Sequence, residues 1–153
     1  MTLLDAKQFD EARERRRRRT ITAAVLIVIV LALLAWRMRY WPEEHAAQKF
    51  FSALQQQQFE NAYGLYFADP DWRQHPQKYS DKYSYADFYR DWGPGGEWGP
   101  IKQFKLNGSA TCPHGSSGVV VDFVVNGRSE HAQVWVEKQD KALSMPPCDL
   151  QFQ

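Results

Sequence analysis

Two cysteines, Cys112 and Cys148, are the residues of the 153-residue chain best suited to covalent or metal chemistry. No cysteine precedes Cys112, as expected if this part of the chain faces an oxidising compartment, so a disulfide is the favoured interpretation. Together with His114 and Asp149 the cysteines offer four zinc ligands, but a single residue between Cys112 and His114 is not a familiar zinc-ligand spacing. A redox-active dithiol needs a Cys-x-x-Cys context, which the chain lacks. We therefore expect neither a metal nor a cofactor.

Asp122 and His131 are the carboxylate and imidazole whose proximity follows from the sequence. Asn126–Gly127 predicts a two-residue type I′ turn, because both residues tolerate positive φ, and this turn places Asp122 directly opposite His131 in a hairpin. Such a pair can act as a general base and its orienting group. It points away from the apolar face formed by Val121 and Phe123. We therefore expect a solvated charge pair rather than a catalytic dyad, and we assign no catalytic residue.

The composition excludes several classes of protein. A hydrophobic content of 44%, an aromatic content of 14% and a net charge of +1 argue against a disordered chain and against a dedicated nucleic-acid binder. The sequence contains no Walker loop, dinucleotide glycine pattern, Gly-x-Ser-x-Gly elbow or paired-histidine zinc motif. Positive charge is concentrated near the start, where six arginines lie within residues 13–19.

The apolar segment that follows the arginines has the features of a membrane span. Residues 20–36 contain no charged residue, no Gly and no Pro, and as a helix they would cover roughly 25 Å of a hydrocarbon core about 30 Å thick. Arg37 and Arg39 can extend toward the headgroups, while Trp36, Tyr40 and Trp41 suit the interfacial aromatic belt. The pattern predicts a transmembrane helix over residues 20–41, with Pro42 marking a break.

The charge asymmetry around this segment predicts its orientation. Because most arginines precede the segment, the amino terminus should stay in the cytoplasm of a bacterium and the remainder should lie in the periplasm. A cleaved signal peptide is the alternative, but Ala35 has Leu33 rather than a small residue two positions before it. The chain then divides into a basic cytoplasmic tail (1–19), the transmembrane helix (20–41) and a periplasmic domain (42–153). The lipid bilayer is the first expected partner, and the arginines can also contact anionic headgroups.

The pattern in the domain changes from helices to strands. An apolar stripe that includes Phe50 and Leu54 marks the first helix, and Ser84 with Asp87 predicts the capped start of the third. Residues 68–83 are predicted to be a long polar loop. The remaining predictions are helices over residues 42–58 and 59–67, and strands over residues 101–107, 118–125, 128–138 and 142–145.

The two helical runs AAQKFFSALQQQQFENAYGLY and YADFYRDWG resemble periplasmic domains of the nuclear transport factor 2-like (cystatin-like) superfamily. The matching residues in the first run are Ala47, Phe50, Ala53, Leu54, Ala62, Tyr63 and Leu65. Gln57 departs from the pattern, which often has Gly in this turn. The resemblance implies an α+β cone of about three helices packed on a curved antiparallel sheet of about four strands, with a pocket between them. Its expected ligand- or partner-binding residues are Phe50, Leu54, Tyr63, Tyr66, Phe88, Trp92, Val121 and Phe123.

Members of this superfamily differ in function, so the resemblance leaves two hypotheses. Some are isomerases or dehydratases with Asp or His in the pocket, whereas others are membrane-anchored scaffold subunits of envelope machines such as type IV secretion systems. The stripes expected to line the pocket carry neither an acidic residue nor a His. We therefore expect a single-pass inner-membrane protein with a non-catalytic periplasmic binding or scaffold domain. The alternative is a membrane-tethered isomerase or dehydratase that acts on a small apolar molecule.

Two protein partners follow from these expectations. One is another envelope protein. The other is a second copy, bound through the outer face of the sheet, where Val120, Val124 and Trp135 would be exposed in a monomer. No nucleic-acid partner is expected.

Overall fold

The structure, a computed structural model, describes residues 11–113, 115 and 117–152. The chain divides into two compact units between Arg39 and Tyr40. The first contains one long helix. The second combines helices with a four-stranded antiparallel sheet, which confirms the predicted α+β class.

Helix α1 (Glu11–Arg37) contains both the arginine run and the apolar segment in 27 continuous residues. Its apolar side chains are exposed, and by length and composition the helix can cross a membrane. It ends at Arg37, and Met38–Tyr40 form a turn, so the helix stops before the predicted end at Trp41. The physical reason is Pro42, which lacks the N–H that would bond to the Met38 carbonyl in a continuous helix.

Helices α2 (Trp41–Gln55) and α3 (Phe59–Tyr66) begin the domain, close to their predicted bounds. Pro42 occupies the first turn of α2, where its missing N–H costs no hydrogen bond. The turn between the helices places Gln57 at a φ of 58°, a left-handed conformation that glycine adopts more easily. Gln57 and Gln58 donate their N–H groups to the carbonyls of Leu54 and Ala53, which closes α2.

Residues 68–83 are mostly irregular but contain a short 3₁₀ helix (Trp72–Gln74) and helix α4 (Gln77–Ser80). Helix α5 (Tyr85–Trp92) follows. Ser84 Oγ accepts the N–H of Asp87 at 3.2 Å and donates its hydroxyl to the Asp87 carboxylate at 2.6 Å. The predicted cap is therefore confirmed.

The sheet is a meander of β1 (Phe104–Ala110), β2 (Gly118–Val125), β3 (His131–Glu137) and β4 (Leu143–Ser144), in that spatial order. Asn126 and Gly127 have φ values of 54° and 68°, as the type I′ turn requires. The predicted register is wrong by two residues, because residues 128–130 are left out of the ladder and His131 pairs with Val124. An even shift keeps every side chain on its face of the sheet. Val121 and Phe123 therefore still point inward.

Aromatic side chains fill the space between the helices and the inner face of the sheet. Phe51 of α2 lies 4.4 Å from Phe123 of β2, and Phe50 lies 5.1 Å from Trp92 of α5, measured between ring centroids. Phe50, Phe51 and Phe123 have no exposed surface. Large rings supply much buried area for a small domain, which explains how about a hundred residues form a stable core.

Candidate functional site

The residues predicted to bind a ligand lie in the packed core. All eight are at most 7% exposed, and the rings of Phe50, Phe88 and Trp92 lie against one another. Tyr63 donates its hydroxyl to the Tyr83 carbonyl at 2.7 Å. Burial, with a contribution from Asp91, raises the pKa of Tyr66 to about 12, so this phenol stays neutral near pH 7. Ligand binding by these eight residues stays a prediction.

The outer face of the sheet is covered rather than exposed. Val120 has no exposed surface and Trp135 only 5%, so the prediction that these side chains are exposed is wrong; Val124 is half-buried. The Trp135 indole lies against Gly118, where a Cβ would clash with it. Exposure of this face therefore no longer supports dimerisation through it.

Residues 146–152, here called the strap, cross this outer face. Gln133 of β3 donates its side-chain amide to the Leu150 carbonyl at 2.9 Å. The Phe152 ring lies where a side chain on Gly108 of β1 would extend. The strap has no regular secondary structure, so these contacts and one covalent bond hold it in place.

That covalent bond is the predicted disulfide. Cys112 and Cys148 are joined, with their Cα atoms 6.0 Å apart. The bond uses both thiols that the zinc hypothesis required, and His114 lies outside the described residues. Among the described residues, no group of three or more His, Cys, Asp or Glu side chains is placed to hold a metal ion.

Asp122 and His131 are close together, as predicted, but Gln133 rather than His131 lies directly opposite Asp122. The His131 side chain is partly exposed, whereas the Asp122 carboxylate is not solvated. Asp122 is completely buried; its Oδ2 accepts the side-chain amide of Asn107 at 2.8 Å and lies 2.8 Å from His131 Nδ1. The expectation of a solvated pair is wrong, because the strap covers this face and a bulge between Leu106 and Gly108 brings Asn107 beside the carboxylate. Asp122 Oδ1 is buried and has no partner within the described part of the chain. The Asp122 carboxylate can orient the His131 imidazole. Through its contacts with Asn107 and His131, it also links β2 to β1 and β3.

A second polar cluster, centred on Asp69, was not predicted. Asp69 Oδ2 accepts the Tyr79 hydroxyl at 2.6 Å and lies 2.6 Å from His75 Nε2 and 3.4 Å from Lys78 Nζ. The hydrogen bonds from Tyr79 and His75 hold the pKa of Asp69 well below its usual range. Phe67 also stacks on Tyr79 at 4.1 Å. The cluster fixes the long loop to the core, and no periodicity in the sequence points to it.

An open groove of about 410 Å³ lies between the end of α5, the loop after it and β3. The end of α5 and the loop after it contribute Trp92, Gly95 and Trp98 together with the charged residues Arg90, Asp91 and Glu97. Ala132, Gln133 and Met145 complete the lining. Met145 is 68% exposed although it is apolar. The sequence alone does not indicate the groove, because only the folded chain brings β3 beside the glycines that follow Trp92.

Comparison of the chain with protein-family models, curated proteins and solved structures finds no match. The geometry described above is therefore the basis for any functional conclusion.

Proposed function

We propose that this chain is a single-pass protein of a bacterial inner membrane whose periplasmic domain binds a partner protein and performs no catalysis of its own. The observation that carries the proposal is the succession of α1, which can cross a membrane, and a domain closed by a disulfide. The two features support one another, because disulfides persist on the oxidising side of such a membrane.

The charges around α1 support the proposed orientation. Arginines at positions 13 and 15–19 precede the apolar segment, whereas Arg37 and Arg39 follow it. Positive residues are retained on the cytoplasmic side, so the amino-terminal end would remain inside and the domain would be exported. Thr20 and Thr22 donate their hydroxyls to carbonyls one turn back, which satisfies these polar groups within the helix as a bilayer requires.

The packing of the domain supports binding over catalysis. An enzyme acting on a small apolar molecule in the cone needs an interior cavity with converging polar groups. The interior is instead occupied by rings such as Phe50, Phe88 and Phe123, each without exposed surface. The open groove lies at the surface, where another protein can reach it. Within the superfamily that the chain resembles, this layout favours the scaffold hypothesis over the isomerase or dehydratase hypothesis.

In-cell photo-crosslinking tests the proposed function. A benzophenone amino acid is introduced separately at Gly95, Met145, Asp81 and Asp149, all exposed positions, and the cells are irradiated. We expect an adduct with a second envelope protein from at least one position, and no adduct without irradiation. If the protein is present in the membrane fraction but no position gives an adduct, the partner-binding function is wrong.

A further inference from the structure

One edge of β3 lacks a neighbouring strand over part of its length. β2 pairs with the whole of β3 on one side, whereas β4 pairs with it only at Trp135 and Val136 on the other. Glu137 donates its N–H to the Ala142 carbonyl at 2.9 Å, so its main-chain groups point toward β4. The main-chain N–H and C=O groups of successive residues point alternately to the two neighbouring strands. The main-chain groups of Trp135 and Gln133 therefore point to the same side as those of Glu137.

The pairing stops for a chemical reason. The register that sets Trp135 opposite Ser144 would next set Gln133 opposite Pro146. Proline has no N–H to donate to the Gln133 carbonyl. The chain instead continues into the strap, where Leu150 accepts the Gln133 side chain. The main-chain N–H and C=O of Gln133 therefore point to a side of β3 where the pairing with β4 has ended, and Gln133 lines the groove.

The groove beside this edge has room for an apolar side chain. Ala132 points to the inner face of the sheet, at a position where Val134 and Val136 carry larger side chains along the same strand. Trp92 and Trp98 line the groove together with Ala132, and the charged residues Arg90, Asp91 and Glu97 also line it. A strand residue placed next to Ala132 would therefore bring its side chain into a groove whose apolar lining includes this alanine and the two indoles.

We propose that an extended segment of the partner protein adds to this edge of β3 as an extra strand, antiparallel to β3 and in line with β4, with one bulky apolar side chain in the groove. The inference rests on the proposed function and names the site and the kind of partner. The main-chain groups of Gln133 supply affinity for any extended peptide, and the groove supplies selectivity for the apolar side chain. Exposed Met145 becomes part of the contact.

The dimensions favour a single peptide strand over a second copy of the domain. The loop that carries Gly95 and Trp98 lines the groove together with β3, so a partner strand beside β3 must fit next to this loop. A volume of about 410 Å³ holds a few side chains, which is within the range of ordinary ligand pockets. The edge strand of another folded copy would bring its own sheet with it.

The test uses the full-length protein in lipid nanodiscs and a phage-displayed library of random peptides as the probe. We expect the selected peptides to share a bulky apolar residue, and their binding to slow hydrogen exchange at the Gln133 amide. The Ala132 amide, which points toward β2, serves as the internal control because it is protected with or without peptide.

Two variants make the test specific to the groove. Gly95→Trp adds an indole at a position where nothing lies within 4 Å of the new Cβ, so it should obstruct the groove without disturbing the fold. We expect it to weaken peptide binding by about tenfold or more. Met145→Ser should weaken binding to a lesser degree. Asp81→Trp, at an exposed position outside the groove, is the matched control and should bind as the unmodified protein does.

Three results would overturn the inference: no peptide is selected, Gly95→Trp binds as well as Asp81→Trp, or the Gln133 amide stays unprotected in the complex. If the groove binds only small molecules, no peptide will be selected, which is the first of these results. The proposed function would survive all three if photo-crosslinks to an envelope protein arise at other surface positions. It would fail separately if no crosslink arises anywhere.

Discussion

Loss of the Cys112–Cys148 disulfide should cost the domain a large part of its stability. The bond joins residues 36 positions apart, and in the chain-entropy model closure of such a loop destabilises the unfolded state by about 4 kcal/mol. Total stabilities of small domains are only about 5–15 kcal/mol. The double variant Cys112→Ser/Cys148→Ser should therefore remain folded under mild conditions but unfold at much lower denaturant concentration.

Urea unfolding of the full-length protein in detergent, followed by near-ultraviolet circular dichroism of the aromatic core, measures this effect. With an m-value of about 2 kcal/mol per molar urea, the midpoint should fall by about 2 M. The unmodified protein treated with a thiol reductant is the matched control and should show the same midpoint as the double variant. Hydrogen exchange should also accelerate at Leu150 in the strap, while the Val121 amide in the central strand stays protected.

Two results would show that the disulfide does not stabilise the domain in this way. A midpoint shift below about 0.5 M would mean that closure of the loop contributes little to stability. Unchanged exchange at Leu150 would mean that the strap is held by its contacts with Gln133 and Gly108 rather than by the covalent bond.

Three further substitutions test individual contacts. Gly118→Ala forces a Cβ against the Trp135 ring and a neighbouring carbonyl, and should lower the free energy of unfolding by about 1–3 kcal/mol in a urea titration; a neutral result would contradict the close packing. Asp122→Ala removes the acceptor shared by two side chains and should lower the thermal midpoint, with a cost of about 1–3 kcal/mol; an unchanged midpoint would show that the buried carboxylate contributes nothing net. Asp69→Asn should destabilise the protein at pH 7, and the difference should shrink as the pH is lowered below about 4, the ordinary range of an aspartate pKa. A lowered folded-state pKa gives stability that is present above the unfolded-state pKa and lost as pH falls toward the folded one, so a difference that grows with acid would contradict the hydrogen bonds at Asp69.

Local signals in the sequence predicted much of the fold. Ser84 and Asp87 mark the start of α5 because a cap is a contact between near neighbours in the chain. Asn126 and Gly127 mark the hairpin turn because the required φ values are a property of those two residues. The apolar run of α1 is recognisable for the same reason, because the apolar character of consecutive residues decides whether a helix can lie in a bilayer.

Features that depend on distant parts of the chain were not predictable in this way. The hairpin register depends on the residue at which strand pairing resumes after the turn. The residue type of Arg128 does not indicate that this position is left unpaired. Burial of Trp135 depends on a strap without periodicity, and the bond between Cys112 and Cys148 does not by itself indicate which face of the sheet the strap crosses. The groove exists because Pro146 interrupts β4 beside a small residue, Ala132, and that coincidence appears only when the strands are aligned.

Labelling with a membrane-impermeant maleimide on intact spheroplasts shows whether the disulfide-closed domain lies across the membrane from the arginine-rich tail. Single cysteines are introduced at Gln56, an exposed residue after α2, and at Gln8 in the tail. We predict that Gln56→Cys is labelled before lysis, that Gln8→Cys is labelled only after lysis, and that the unmodified protein is not labelled without reductant because its thiols are joined. Labelling of Gln8→Cys on intact spheroplasts would show that the tail is not cytoplasmic, and labelling of the native cysteines without reductant would show that the disulfide is absent.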